Sequence, residues 1–215
     1  RDLVRSRGLG DVYKRQVMGR RVELLEEMAA SRRENTLTYA CDISEMDEFD
    51  RALEAMTGEL GSLDIAILCV GIGELNPVLD ASAEIETARV NVDGWTNAAV
   101  GLYRLFERQG WGQLVTVTSV GGLMSAAMAP AYSASKAYQI NYTKALQRKS
   151  NGTGVVVTEI RPGLVDTRMA KGDGLFWVMP VDKVASQIVK AIARRRRLAV
   201  VSRRWRLANY ILRHI

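Results

Sequence analysis

Tyr132-Ser133-Ala134-Ser135-Lys136 is the stretch on which the reading of this chain turns. It opens a helix-like segment, Ala131 to Lys149, in which Tyr132 and Lys136 stand one turn apart on the same face. A phenol titrates near pH ~10 and is a poor proton donor at neutral pH. A neighbouring ammonium favours the phenolate and is expected to pull that pKa down, which makes the tyrosine a usable general acid or base. Upstream, Ser119 ends an apolar, strand-like run from Leu114 to Val117. A strand end can deliver that hydroxyl to the substrate oxygen the tyrosine serves. A tyrosine and a lysine four apart also arise by chance on solvated helices, so the pair needs support from the rest of the chain.

Working outward, strand-like and helix-like segments alternate, the order of a parallel sheet with crossover helices. Val17-Met18 is the tail of a strand, Glu23 to Ala30 a helix with Leu24, Leu25 and Met28 on one face, and Leu37 to Ala40 a short strand. Met46 to Leu60 is an amphipathic helix with Phe49, Leu53 and Met56 at helical spacing. Leu63 to Val70 reads as a buried strand, Ala83 to Arg108 as a long helix, and Leu114 to Thr118 as the strand leading to Ser119. Val155 to Ile160, Val184 to Ala193 and Leu198 to Val201 read as strand, helix and closing strand. A chain of 215 residues in this order predicts one α/β domain.

Asn91, in Val90-Asn91-Val92-Asp93-Gly94, completes a set with Ser119, Tyr132 and Lys136 that resembles the short-chain dehydrogenase/reductase family, over roughly residues 17–200. The resemblance implies a Rossmann-like, doubly wound parallel sheet and hydride transfer between a nicotinamide cofactor and a carbonyl or alcohol. Ser119 would polarise the substrate oxygen and Tyr132 would give or take its proton. Lys136 would lower the tyrosine pKa and bind ribose hydroxyls. Asn91 would kink its helix and hold a water that relays protons to the lysine. In Pro162-Gly163-Leu164-Val165-Asp166-Thr167, the Pro162-Gly163 turn would close over the nicotinamide, Thr167 would contact its carboxamide, and Val165 counts with them as cofactor-binding. Asp42 resembles the aspartate that contacts adenine; as a bare residue, it or Ser44 suits a helix N-cap. Gly71 lets the backbone pass close to the cofactor ribose. Leu68-Cys69-Val70-Gly71 departs from the family's Asn-Asn-Ala-Gly, losing two asparagines that usually brace the sheet.

The front end departs further. A Thr-Gly-x-x-x-Gly-x-Gly turn, whose N–H groups would hold the pyrophosphate, does not precede Val17. Asp11-Val12-Tyr13-Lys14-Arg15-Gln16 is instead what GAT-GTG-TAT-AAG-AGA-CAG encodes, the transposase end sequence of tagmentation libraries. Residues 1–16 are therefore expected to be translated adaptor, followed by a Rossmann-like domain over 17–202 lacking its first strand and glycine-rich loop, and a basic amphipathic helix over 203–215. Such a chain is expected to bind cofactor weakly and to expose a sheet edge. Arg20 and Arg21 then fall in the loop that reads the adenosine ribose, where guanidinium accommodates a 2′-phosphate; NADP(H) is expected over NAD(H).

The net charge of +6 is unevenly spread: +3 in residues 1–16 and +8 from Arg194 to Arg213, leaving −5 elsewhere. The body is mildly acidic, which argues against nucleic acid as a partner. Two cysteines outside any paired framework suit a reducing, cytoplasmic setting, and no metal site is expected. Trp205, Ala208, Ile211, Leu212 and Ile215 share one helical face, with Arg203, Arg206 and Arg213 elsewhere. Such a helix either packs on the body or a sister subunit, or lies on an anionic membrane surface as a peripheral contact. Phe176, Trp177 and Met179 make the Met169 to Met179 loop apolar, which suits a hydrophobic substrate wall or a lid. A small-molecule carbonyl or alcohol substrate and a homo-oligomeric full-length protein complete the expectation. An isomerase or dehydratase of the extended relatives, and a non-catalytic membrane-associated scaffold, are the alternatives.

Overall fold

The computed structural model describes residues 14–31, 36–167, 169 and 176–212. Residues 1–13 of the adaptor-like segment, 170–175 of the apolar loop, and Arg213 and Ile215 lie outside them. The chain divides into two compact units, one ending at Leu63 and the other beginning at Asp64.

In the first unit, β1 (Arg15–Gly19) and β2 (Thr36–Ala40) pair in parallel and are joined by α1 (Val22–Ser31). Arg15 and Gln16, expected to belong to the adaptor segment, form the first two rungs of β1 against Thr36 and Leu37. The Gln16 side-chain amide also donates to the Met56 carbonyl at 3.2 Å. Of the expected apolar face of α1, only Leu25 is buried; Leu24 and Met28 are exposed. Successive residues on a helix do not share a face, and Leu25 is the one that packs toward Gly19 at the end of β1. Helix α2 (Met46–Leu60) has the expected bounds and buries the expected Phe49, Leu53 and Met56.

The second unit is a parallel sheet in the order β3 (Ile65–Leu68), β4 (Gly112–Val117), β5 (Val155–Pro162), β6 (Leu198–Val201). Every crossover carries helix: α3 (Ala81–Ala88), a π-helical turn (Arg89–Gly94) and α4 (Trp95–Gln109) after β3, α5 (Pro130–Lys149) after β4, and α6 (Val181–Ala193) after β5. Adjacent strand residues point to opposite faces, and β4 shows what each face meets. Thr116 bonds Thr143 of α5 at 3.1 Å, while Val115 packs with Val184 and Ile192 of α6. Helices on both faces of a parallel sheet make the expected doubly wound, Rossmann-like architecture.

Three expectations change in detail. The strand expected to be buried from Leu63 to Val70 is shorter and alternates, with Ala66 and Leu68 buried but Ile65 and Ile67 exposed; β3 is an edge of its sheet. The long helix expected over 83–108 is interrupted by the π turn that contains Asn91. Strand β5 runs on to Pro162 because Arg161 and Pro162 pair with Val200 and Val201.

Helix α7 (Arg203–Leu212) follows β6 and packs through Trp205 and Asn209, both buried. Ile211, expected on the same face as Trp205, is exposed, as are Leu207 and Tyr210. The cause is local: Trp205 lies on Gly163, where a Cβ would come within 2.2 Å of its ring, and Asn209 bonds Arg161 at 2.6 Å. These contacts favour the packing role for α7. Among the described residues, no helix is long and apolar enough to cross a membrane.

Candidate active site

The ends of β3 and β4, the π turn and the first turns of α5 bring Gly71, Asn91, Ser119, Tyr132 and Lys136 together. Ser119 follows β4 in extended backbone and caps a short 3-10 turn (Val120–Leu123). Its Oγ accepts the Gly121 N–H at 3.0 Å, and the side chain lies beside the Tyr132 phenol and favours its ionised form. Pro130, fixed at the first helical position, starts α5, so Tyr132 sits in its first turn beside Ser119. Burial pushes the Tyr132 pKa above its ordinary value, and the Ser119 side chain opposes the push without cancelling it.

Lys136 is 5% exposed. Its Nζ donates to Gln139 Oε1 at 2.9 Å and to the Val117 carbonyl at 3.5 Å, and lies 5.8 Å from the Tyr132 ring centroid. Burial pushes its amine down to about 8, and the Cys69 thiol partly offsets that push. The lowered tyrosine pKa expected from the lysine is therefore not the state seen here. Burial disfavours both charges at once, and the ammonium is committed to amide and carbonyl oxygens.

Burial of Lys136 has a signed consequence for stability. Below pH ~8 the amine is charged in both folded and unfolded chains, and the full burial cost is present. Between about 8 and its ordinary 10.5, the unfolded chain binds more protons than the folded one, so stability rises with pH. The whole span amounts to about 3 kcal/mol. Lys136→Met should remove this component. Urea denaturation at pH 7 and pH 10 should show native stability rising relative to the variant; a constant difference would contradict the burial of a strained amine.

Asn91 is fully buried, and the π turn explains how it is used. Here the Trp95 N–H reaches the Val90 and Val92 carbonyls rather than that of Asn91; π turns re-aim helix groups in this way. The Asn91 carbonyl accepts Gln139 Nε2 at 2.8 Å. Its side chain pairs with Ile72 like a strand rung, Nδ2 donating to Ile72 O at 2.7 Å and Oδ1 accepting Ile72 N–H at 2.8 Å. Nδ2 also donates to Ser135 Oγ at 3.0 Å. One residue thus braces the loop after β3, where the family's two asparagines are missing.

Two glycines of that loop lie close to the site, and Gly73 leaves no space for a side chain. A Cβ on Gly71 would stand 3.0 Å from Lys136 Nζ, and one on Gly73 would stand 2.3 Å from the Tyr132 ring. Gly71 was expected at the site from its place after the strand. Gly73 and Gln139 were not, because their roles come from contacts across the fold; the residue spacing of Gln139 from Lys136 was the only signal in the sequence.

Other expected cofactor residues are found as follows. In the first unit, Arg20 Nη1 lies 3.4 Å from Asp42 Oδ2, and Arg21 is exposed. Burial pushes the Asp42 carboxyl up, but the Ser44 hydroxyl and N–H and the Arg20 guanidinium together hold it below its ordinary value. Neither Asp42 nor Ser44 caps α2; Glu45 holds that position, and Asp42 closes a turn onto Ser44 instead. In the second unit, Pro162 ends β5 and Gly163 passes beneath Trp205. Val165 bridges Met179, and Thr167 is exposed. Phe176 and Trp177 stack with Trp205, ring centroids 5.5–5.7 Å apart. A cleft of about 380 Å³ lined by Trp177, Met179, Gln187 and Ser202 contains none of the residues around Tyr132.

Residues 10–174 match the family model described as short chain dehydrogenase. An uncharacterised oxidoreductase of Staphylococcus epidermidis is 27% identical over 158 residues, 73% of this chain and 69% of that protein. Among solved structures, the apo form of LigD from Sphingobium sp. strain SYK-6 superposes with TM-score 0.82 at 21% identity, covering 94% of this chain and 84% of that one. The NADPH-dependent 3-quinuclidinone reductase of Rhodotorula rubra superposes with TM-score 0.64 at 28% identity, covering 74% and 63%. A match spanning most of the chain, on a parallel sheet whose strand ends gather the expected side chains, makes this protein a member of the short chain dehydrogenase family, and so an oxidoreductase.

Proposed function

We propose that the protein interconverts a carbonyl and an alcohol on a small, apolar molecule with NADP(H). The observation that carries the reading is that Ser119, at the end of β4, Tyr132, in the first turn of α5, and Lys136, one turn further on, are gathered together, with Lys136 Nζ 5.8 Å from the Tyr132 ring centroid. Ser119 Oγ already accepts from Gly121, which leaves its O–H to donate to a substrate oxygen. Tyr132, kept protonated by burial, donates a second hydrogen bond to that oxygen and gives it a proton as the carbonyl becomes an alcohol. Two donors on one developing oxyanion stabilise the charge where it forms. Lys136 stabilises the phenolate left behind. A nicotinamide, when bound, supplies or accepts the hydride.

The residues fit such a cofactor. Gly71 brings the backbone of the loop close to Lys136 Nζ, where a Cβ would stand 3.0 Å away, which suits a ribose passing the same backbone with its hydroxyls bound by Lys136. Pro162, Gly163, Val165 and Thr167 would meet the nicotinamide end. Asp42 would meet the adenine, and Arg20 and Arg21 a 2′-phosphate, since guanidinium forms paired bonds to phosphate. Nucleotide oxidation by the full-length protein, tested against aldehydes and ketones, should run at least about tenfold faster with NADPH than with NADH, a difference of ~1.4 kcal/mol. Arg20→Glu combined with Arg21→Glu should erase that preference. Equal rates with both nucleotides would refute the NADP(H) assignment, and no oxidation with any carbonyl would refute the reaction.

A further inference from the structure

We propose that Gln139 is a positioning residue that clamps Lys136 to the main chain of Asn91, filling with a side-chain amide the span where a relay water was expected. Gln139 is fully buried. Its Nε2 donates to the Asn91 carbonyl at 2.8 Å, and its Oε1 accepts from Lys136 Nζ at 2.9 Å. The chemistry of both partners sets the orientation of the amide. A carbonyl can only accept and an ammonium can only donate, so the flipped amide would lose both bonds. The π turn completes the device, because the Trp95 N–H goes to Val90 and Val92 instead of Asn91.

The clamp has two chemical consequences. The Gln139 oxygen solvates the ammonium without adding charge, which favours charged Lys136 in a site whose burial opposes it. An amide does not change protonation state near neutral pH, so the line from Asn91 through Gln139 to Lys136 positions the lysine and does not relay protons. The titratable groups that face Lys136 are Tyr132 on its own helix and Cys69 on the loop after β3. On the neighbouring elements, Glu84 of α3 is turned to the Ala131 N–H, Glu159 of β5 to Thr118 and Arg161, and Asp93 of the π turn is exposed. None of those three carboxylates substitutes for the amide.

The catalytic consequence rests on the hydride-transfer reading above; the clamp does not, and the test separates them. The full chain, carrying lysine labelled with carbon-13 at Cε, is titrated by NMR, with Lys136 assigned by its loss in Lys136→Met. Gln139→Met keeps the volume and removes the acceptor, so the Lys136 midpoint should fall by about one pH unit; Gln139→Glu should raise it by about as much. Midpoints unmoved in both folded variants would overturn the clamp. If neither variant folds, the native protein decides: side-chain amide resonances of Gln139 that shift with the Lys136 titration support the clamp, and insensitive ones overturn it. In turnover, Gln139→Met should lower kcat about tenfold or more with KM within about twofold, and Gln139→Glu should recover part of the loss with a shifted pH profile. If the native protein turns over no carbonyl, the reaction reading fails while the titration still decides the clamp.

Discussion

Replacing Tyr132 by phenylalanine is expected to lower kcat of the full-length protein by about 10²–10⁴-fold, the usual range for losing a general acid, while NADPH binding and fold persist. The substitution removes one oxygen and leaves the ring, and the ring is what the surroundings hold. Gly73 lies against it closely enough that any Cβ there would overlap, and Lys136 Nζ stays near its face. The stability cost should be at most that of one lost hydrogen bond, about 1 kcal/mol. The pH dependence follows from the raised tyrosine pKa and the lowered lysine one. In the reducing direction the phenol is the active form and the Lys136 ammonium must stabilise the phenolate left behind, so kcat should be flat through neutral pH and begin to fall as Lys136 loses its proton, at about pH 8. Turnover with saturating NADPH, measured beside nucleotide titration by fluorescence, checks both halves. A variant that kept its rate would remove Tyr132 from the chemistry.

The site was legible in sequence wherever one short segment carries its own geometry. Tyr132 and Lys136 share a turn of α5, Ser119 ends a strand that is nearly all apolar, and α2 declares its bounds through Phe49, Leu53 and Met56. What could not be read depends on segments far apart in the chain. Gln139 is an ordinary polar residue until the π turn brings the Asn91 carbonyl to it. The direction of the Tyr132 shift follows from burial, which the tyrosine-lysine spacing does not encode. Ile65 and Ile67 look like core residues because hydropathy does not reveal that β3 is buried on one face only, the face of Ala66 and Leu68. Glu159 and Arg161 sit in an apolar strand where charge would argue against burial, yet both are buried.

Arg161→Leu is expected to destabilise the protein by about 3–5 kcal/mol, the cost of leaving one member of a buried ion pair without its partner. Glu159 and Arg161 are two apart on β5 and therefore project to one face, with side chains 2% and 0% exposed. Arg161 Nε donates to Glu159 Oε1 at 2.8 Å. Nη2 lies 2.7 Å from the same oxygen, at an angle that leaves it without a hydrogen bond of its own. Nη1 donates to Asn209 Oδ1 at 2.6 Å, and Thr118 Oγ1 donates to Glu159 Oε1 at 2.8 Å. The pair thus ties β5 to α7 on one side and, on the other, to the residue that precedes Ser119. Leucine at 161 would leave the Glu159 carboxylate with the Thr118 hydroxyl as its remaining partner and Asn209 with no donor. For a chain of this size the loss corresponds to a fall of roughly 10 °C in Tm. Glu159→Leu combined with Arg161→Leu should recover most of it, because an apolar pair of similar volume avoids the desolvation of both charges. Urea denaturation of the two single variants and the double variant measures the coupling. Losses that simply add would mean the two side chains act independently.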